Sequence, residues 1–234
     1  MKSRSEFSLQ TFDWQPLLLS FKVASVALLL TFFTGTALAH WMSRARFWGR
    51  DLVDALLLLP LVLPPVVTGY ILLLLLGRRG LVGAWLHRVL DWQLLFTPSA
   101  AVLASSIVAF PLMYQSAKAA FSNTDLHLLE AACSLGASRS RVFWTVTFPL
   151  AATGLLAGAV LTFARALGEF GATIMVAGNI AGKTVTAPTA IYMAAEGGDL
   201  QTAKMYVLAV GAFNLVFVVL LNTWLRRAQR VGKR

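Results

Sequence analysis

Two opposite charges lie inside a long apolar stretch of this chain. Arg165 and Glu169 are four residues apart within residues 150–176, and Thr173 follows in the same stretch. On a helix, side chains spaced by four share a face, so the two charges can neutralise one another. Charges at membrane depth usually face protein or water. The pattern is typical of either a gate or path residue, with Arg165 attracting an oxyanion and Thr173 offering a hydroxyl, or a structural ion pair. The structural role suits Glu169 better, because its charge repels anions.

The other reactive residue types do not form a recognisable site. The three histidines, His40, His87 and His127, are far apart and lack metal-ligand spacing. Cys133 is the single cysteine, so no intrachain disulfide can form. No nucleophile and base arrangement can be recognised. We therefore predict no catalytic residue and no metal site.

Residues 178–184 end like a phosphate-binding loop. Ala177 stands where the first glycine of that pattern belongs, and we expect no strand before the segment and no helix after it. We reject it as a nucleotide site, and no other such motif occurs in the sequence. The chain is therefore expected to bind no cofactor, and any energy from ATP must come through a separate polypeptide.

The composition is that of an integral membrane protein. Hydrophobic residues make up 58% of the 234 residues and charged residues only 13%, whereas soluble domains are about a quarter charged. The mean hydropathy is +0.71. Runs of roughly 20 apolar residues, long enough to cross a bilayer, predict five membrane helices: 17–41, 52–76, 100–117, 150–176 and 206–225.

The net charge of +10 comes from basic residues in short segments beside the membrane spans, which does not indicate a nucleic-acid-binding patch. Basic residues cluster after the first span, around residues 139–141 and at the C-terminus, as the positive-inside rule requires of cytoplasmic segments. The N-terminus would then be outside, although Arg78, Arg79 and Arg88 fall in a loop that this topology also places outside. We predict a periplasmic leader at 1–16, a transmembrane domain at 17–225 and a basic cytoplasmic tail at 226–234.

Prolines interrupt the second span. Pro60, Pro64 and Pro65 lie within residues 59–67, and each removes a backbone donor from the helix. The span must be kinked or broken there. A break at membrane depth is tolerated where protein or a water-filled path satisfies the freed carbonyls, so Pro64 and Pro65 indicate either a path-lining helix or a packing kink.

The loop between the third and fourth spans has its own helix signals. Thr124 is the predicted N-cap of an amphipathic helix that Gly136 ends, and Ser138 can cap a second short helix that ends before Pro149. This helix-turn-helix would lie at the membrane surface. It is either a docking element for a soluble partner or an ordinary amphipathic loop in the headgroups.

The same loop resembles the cytoplasmic signature of ABC importer permeases. The signature is Glu-Ala-Ala, three residues, Gly, nine residues and then Val-x-Phe-Pro, where the family usually has Ile-x-Leu-Pro; its residues are Glu130, Ala131, Ala132, Gly136, Val146 and Pro149. Residues 59–67, 77–80 and 164–174 are similar to segments of molybdate importer permeases. Sulfate and tungstate permeases share much of these patterns.

The resemblance implies an all-α type I ABC importer transmembrane domain in the bacterial cytoplasmic membrane, with five membrane helices and a cytoplasmic coupling helix in loop 123–148. The signature residues would couple the chain to the ATPase. Pro64, Pro65, Arg165, Glu169 and Thr173 are the candidate path or gate residues.

The implied partners are cytoplasmic ABC ATPase subunits that use ATP, an extracytoplasmic oxyanion-binding protein, a second copy of this chain and membrane lipid, but no nucleic acid. The expected substrate is molybdate, with sulfate, thiosulfate or tungstate as alternatives. A secondary transporter, a rival from another class, would need internal repeats and a coupling acid. The chain has no repeat, and its one deep acid, Glu169, already has Arg165 as a partner.

Overall fold

The computed structural model describes residues 12–231, all of whose regular structure is helical. Residues 1–11 of the predicted leader and 232–234 of the predicted tail lie outside this range. The helices, in chain order, are α1 (Gln15–Arg44), α2 (Arg50–Val62), α3 (Pro65–Leu76), α4 (Leu81–Leu90), α5 (Pro98–Ser122), α6 (Leu126–Ser134), α7 (Arg139–Val142), α8 (Phe148–Leu167), α9 (Gly171–Ala177), α10 (Ala187–Glu196) and α11 (Leu200–Val231), with a π-helical turn at Phe143–Thr147.

The described part of the chain has four to five candidate membrane helices, which agrees with the predicted five when the bent pair α2 and α3 is counted as one span. Four helical stretches are long and apolar enough to cross a bilayer: Gln15–Arg44, Pro98–Ser122, Arg139–Leu167 and Leu200–Val219. The fifth is the pair α2 and α3, which qualifies as one broken span. Helix α11 continues to Val231, so the tail predicted from residue 226 begins as part of that helix.

Helix α5 is the centre of the bundle and packs on α1, α2, α8 and α9. Its buried face is rich in small residues, including Ala101, Ala104 and Ala117, which are fully buried. On α8, a Cβ added to Gly154 would lie 2.6 Å from Ala120 Cβ of α5. Small residues on both helices therefore allow the close approach that membrane helices use in place of hydrophobic association.

The predicted break in the second span is confirmed at Pro64 and Pro65, where the chain bends by 111° between α2 and α3. A proline pushes the residue before it into extended backbone, and here two consecutive residues precede a proline. Leu63 (ψ 141°) and Pro64 (ψ 136°) are both extended as a result. Pro60, by contrast, lies inside α2 without ending it.

The predicted fourth span is not one helix. It divides at Gly168, the C-cap of α8, and a new helix, α9, begins at Gly171. The Glu169 side chain accepts a hydrogen bond from Ala172 N at 2.7 Å, which satisfies one of the free donors at the start of α9. A carboxylate at this position therefore favours restarting the helix over continuing it.

The predictions for the loop between α5 and α8 are partly confirmed. Gly136 ends α6 with a φ of +83°, and Ser138 Oγ caps α7 by accepting from Arg141 N at 3.3 Å. Thr124 is not the N-cap of α6, because its hydroxyl donates back to Ala120 O of α5. Asp125 caps α6 instead, accepting from His127 N at 2.9 Å.

The prediction that the second short helix ends before Pro149 is wrong. Helix α7 passes through the π-helical turn into α8, and the backbone at Thr147 and Phe148 stays right-handed helical. Pro149 is the second residue of α8, directly after the π-helical turn, and its missing N–H removes one backbone donor there without ending the continuous helix. The element therefore joins the membrane helix without a hinge.

Candidate functional site: two helix breaks and a surface element

The two broken spans meet in space. We call residues 63–65 and 168–171 together the break region. A Cβ added to Gly171 would lie 3.1 Å from Pro65 Cβ, and one added to Gly69 would lie 2.7 Å from Ala172 Cα. Helices α3 and α9 thus pack backbone to backbone, which only glycine permits at Gly69. Sequence reasoning named the proline interruption of the second span but missed its juxtaposition with the start of α9, for which the small residues on α3 and α9 were the available signal.

The ion pair predicted in the fourth span is present. Arg165 Nη1 lies 2.6 Å from Glu169 Oε2, with the glutamate side chain 1% exposed and the arginine side chain 30% exposed. The other carboxylate oxygen caps α9 through Ala172 N. Glu169 therefore ties the end of α8 to the start of α9, and its negative charge is compensated inside the protein.

The remaining candidate path residues differ in their exposure. Thr173 is 1% exposed, and its hydroxyl oxygen lies 3.5 Å from Ser105 Oγ of α5. Pro64 is exposed and Pro65 is half-buried. In this conformation Thr173 faces protein, whereas Pro64 and part of Arg165 remain accessible.

The ABC-permease-like signature lies on a surface element, residues 125–149, which we call the signature element. Glu130 is exposed, and its carboxylate has His127 Nδ1 at 4.0 Å as its ion-pair neighbour. Ala131, Gly136 and Pro149 are also exposed, whereas Ala132 and Val146 are half-buried. A Cβ on Gly136 would meet no atom within 4 Å, so the positive φ alone accounts for glycine there.

Large apolar side chains cover the outer face of the signature element. Leu128 is 49% exposed, Leu135 is 89% exposed and Trp144 is 61% exposed. Large apolar side chains exposed on a surface element are typical of an interaction site. Arg139 and Arg141 of the same element are also exposed.

The inner side of the same element is anchored to the bundle. The centre of the Phe143 ring lies 4.7 Å from the centre of the His40 ring of α1. Arg44 Nη2, also on α1, donates a hydrogen bond to Thr147 Oγ1 at 3.4 Å. Thr147 is fully buried. Sequence reasoning missed His40 and Arg44, because contacts across about 100 residues leave no local pattern.

Two further features of the sequence, the possible metal ligands and the loop at 178–184, can be placed in the structure. Across residues 12–231, no group of three histidine, cysteine, aspartate or glutamate side chains could hold a metal ion. Residues 178–184 follow helix α9 rather than a strand. They form a turn that Thr184 closes internally, with its hydroxyl oxygen accepting from Ile180 N at 3.0 Å. That contact gives the turn an internal structural use.

Comparison with known proteins agrees with the family that the sequence resembles. Residues 23–231 match the family described as "Binding-protein-dependent transport system inner membrane component". The molybdenum transport system permease protein ModB of Escherichia coli K12 is 43% identical over 223 residues, covering 93% of this chain and 95% of that protein. ModB of Haemophilus influenzae is also 43% identical, covering 92% of this chain and 95% of its own length.

Solved structures share the fold at low sequence identity. A bacterial ABC transporter involved in the import of the acidic polysaccharide alginate superposes with a TM-score of 0.73 at 18% identity, covering 91% of this chain and 78% of that one. The MetNI methionine ABC transporter in an inward-facing conformation gives a TM-score of 0.66 at 13% identity, covering 92% and 93%. The architecture is that of ABC importer transmembrane domains.

Proposed function

Because the chain belongs to the family of binding-protein-dependent transport system inner membrane components, we propose that it moves molybdate into the cell as part of an ATP-driven importer. The chain is a multi-pass permease subunit of the bacterial inner membrane rather than a catalytic enzyme. Its general partners are an ABC ATPase and a substrate-binding protein.

The observation that carries the substrate proposal is the near full-length similarity to permeases named for molybdenum transport. The aligned stretch covers 93% of this chain at 43% identity, so it extends across both the break region and the signature element. The Arg165 side chain is 30% exposed and contacts Glu169 through Nη1, so its other guanidinium N–H groups are the candidate donors to a tetrahedral oxyanion.

The signature element is proposed to receive the ATPase. Its exposed Leu135 and Trp144 offer apolar contact, and Glu130 offers a carboxylate for charge-assisted hydrogen bonds to the partner. ATP is then hydrolysed on the separate subunit, and this chain binds no nucleotide. Close packing of the α7–α8 junction on α1 makes the element a rigid attachment rather than a flexible tether.

Two copies of this chain are proposed to form one path. The helix α2 has no fully buried residue in the single chain, and many of its apolar side chains, such as Leu52 and Leu56, are exposed. Apolar side chains that are exposed in one chain can be buried against a second copy, so such a surface suits contact between two subunits. The break region then supplies the movable wall of the path. Helices α3 and α9 each follow one of the two breaks and pack against one another, so they can move together.

The proposal is tested by reconstituting the chain with its ATPase and binding protein in proteoliposomes and measuring ATP-dependent uptake of radioactive molybdate. We expect uptake that excess tungstate inhibits and excess sulfate does not. Equal inhibition by sulfate would move the substrate to sulfate. Uptake that survives without ATP but collapses with the proton gradient would contradict the importer proposal altogether.

A further inference from the structure

A polar cluster outside the sites described so far joins α2 to α5. Asp54 Oδ1 accepts a hydrogen bond from the Tyr114 hydroxyl at 2.5 Å and another from Lys118 Nζ at 2.6 Å. Tyr114 is fully buried, and the side chains of Asp54 and Lys118 are each 24% exposed. We call these three residues the α2–α5 brace.

The brace has the geometry of a rigid link rather than a loose surface ion pair. Tyr114 and Lys118 are four residues apart and share one face of α5. Lys118 Nζ also lies 5.7 Å from the centre of the Tyr114 ring, so the two donors hold one another in place. Hydrogen bonds to an ionised group are about twice as strong as neutral ones.

Helix α2 depends on this link because it has little other packing. None of its residues is fully buried, and only partly buried side chains such as Val53, Leu57 and Leu58 pack against the core beside Tyr114. Among residues 12–231, the Asp54–Lys118 contact is the one salt bridge that joins α2 to another helix. The brace therefore fixes where α2 lies relative to α5.

The two helices that the brace joins lead to the two functional regions. Helix α5 ends at Ser122, and α6 of the signature element begins at Leu126. Helix α2 ends at Val62, directly before the Pro64–Pro65 break. Helix α5 is therefore connected to the signature element at its end and, through the brace, to the helix that leads into the break.

We propose that Asp54 is a positioning residue that transmits movement of the signature element to the Pro64–Pro65 break, with Lys118 and Tyr114 as its anchors on α5. This inference rests on the proposed transport function. Without the brace, α2 no longer follows α5, and ATP is hydrolysed without movement of the substrate.

The test measures molybdate taken up per ATP hydrolysed in proteoliposomes holding the full complex. Asp54→Asn keeps the size and an acceptor oxygen but removes the charge, and Lys118→Met removes the ammonium group. We expect each to lower this ratio about tenfold, within the range typical of coupling between sites, while ATPase activity continues. Tyr114→Phe should lower it less, because the Lys118 contact remains.

Two controls separate transmission from stability. Asp51→Asn removes the same charge from the same helix, at an exposed position with no hydrogen bond or ion pair to another helix among residues 12–231, and should leave the ratio unchanged. The exchange Asp54→Lys with Lys118→Asp should restore part of the ratio, which a merely lost side chain could not do.

An unchanged ratio in Asp54→Asn and Lys118→Met, with a transporting wild type, would overturn this inference alone. So would a parallel fall of uptake, ATPase activity and melting temperature, which would give the brace a purely structural role. A wild-type complex that takes up no oxyanion with ATP would overturn the proposed function and this inference together.

Discussion

The break region and the signature element each have a carboxylate at the start of a short helix, but that carboxylate is buried in the first region and exposed in the second. Each contains a short helix capped by a carboxylate: Glu169 caps α9, and Asp125 caps α6. Glu169 is buried and ion-paired, and the start of its helix is pressed against Pro65. Asp125 is exposed, and the helix after it has no buried residue among those described.

The difference shows which region is complete within the single chain. In the break region, Glu169 has its partners within the chain, and at the adjoining α3–α9 contact a Cβ added to Gly69 would lie 2.7 Å from Ala172 Cα, so these positions are held by contacts inside the single chain. In the signature element, Glu130 and Leu135 face outward with little contact. Substitutions in the first region should therefore damage folding, and those in the second should damage partnership.

The largest effect is expected from Glu169→Ala. This change leaves Arg165 without its partner and Ala172 N without its acceptor. Breaking a buried ion pair costs about 3–5 kcal/mol, and the low end applies because the Arg165 side chain is 30% exposed. The free energy of unfolding in detergent, followed by the melting temperature and denaturant titration, measures the loss.

The double variant Arg165→Leu with Glu169→Leu is the informative control. It removes both charges, so it should be more stable than Glu169→Ala, since no unpaired charge stays buried. If the double variant folds but takes up no molybdate, at least one of the two charges is needed for transport as well as for stability. A double variant as unstable as Glu169→Ala would contradict the ion pair as the main contribution.

A smaller loss is expected from Gly69→Ala at the α3–α9 contact. The added Cβ would lie 2.7 Å from Ala172 Cα, so the helices must separate, at a cost of about 1–3 kcal/mol for an overpacked site. Gly211→Ala in α11 is the matched control, because its Cβ would meet nothing within 4 Å. That variant should be neutral or stabilised by the better helix propensity of alanine, and equal melting temperatures for the two would contradict the close packing.

Much of the fold could be predicted because its causes are local. Runs of apolar residues give the spans, and consecutive prolines force the extended residues that break α2 from α3. The four-residue spacing gives the Arg165–Glu169 pair. Gly136 was predictable as a helix end, since the positive φ there favours glycine.

The rest depends on contacts that leave no local pattern. Thr124 was a reasonable cap, but its hydroxyl is already used by the end of α5, so the next residue, Asp125, takes the role. The contact between Gly69 and Ala172 and the bond between Asp54 and Lys118 join positions far apart in the chain. Such pairings are set by how the helices pack, which periodicity does not specify.

The smallest effect on stability, and the sharpest contrast with Glu169, is expected from Glu130→Ala. The carboxylate is exposed and contacts His127 only at 4.0 Å, so the free energy of unfolding should change by less than about 0.5 kcal/mol. Association with the ATPase, measured by copurification from membranes, should fall because the partner loses a charge-assisted bond. Glu196→Ala, another exposed glutamate at the end of α10, should change neither quantity. Normal copurification and normal ATP-dependent uptake by Glu130→Ala would contradict the proposed role of Glu130 in binding the ATPase. The two regions would then differ in burial alone.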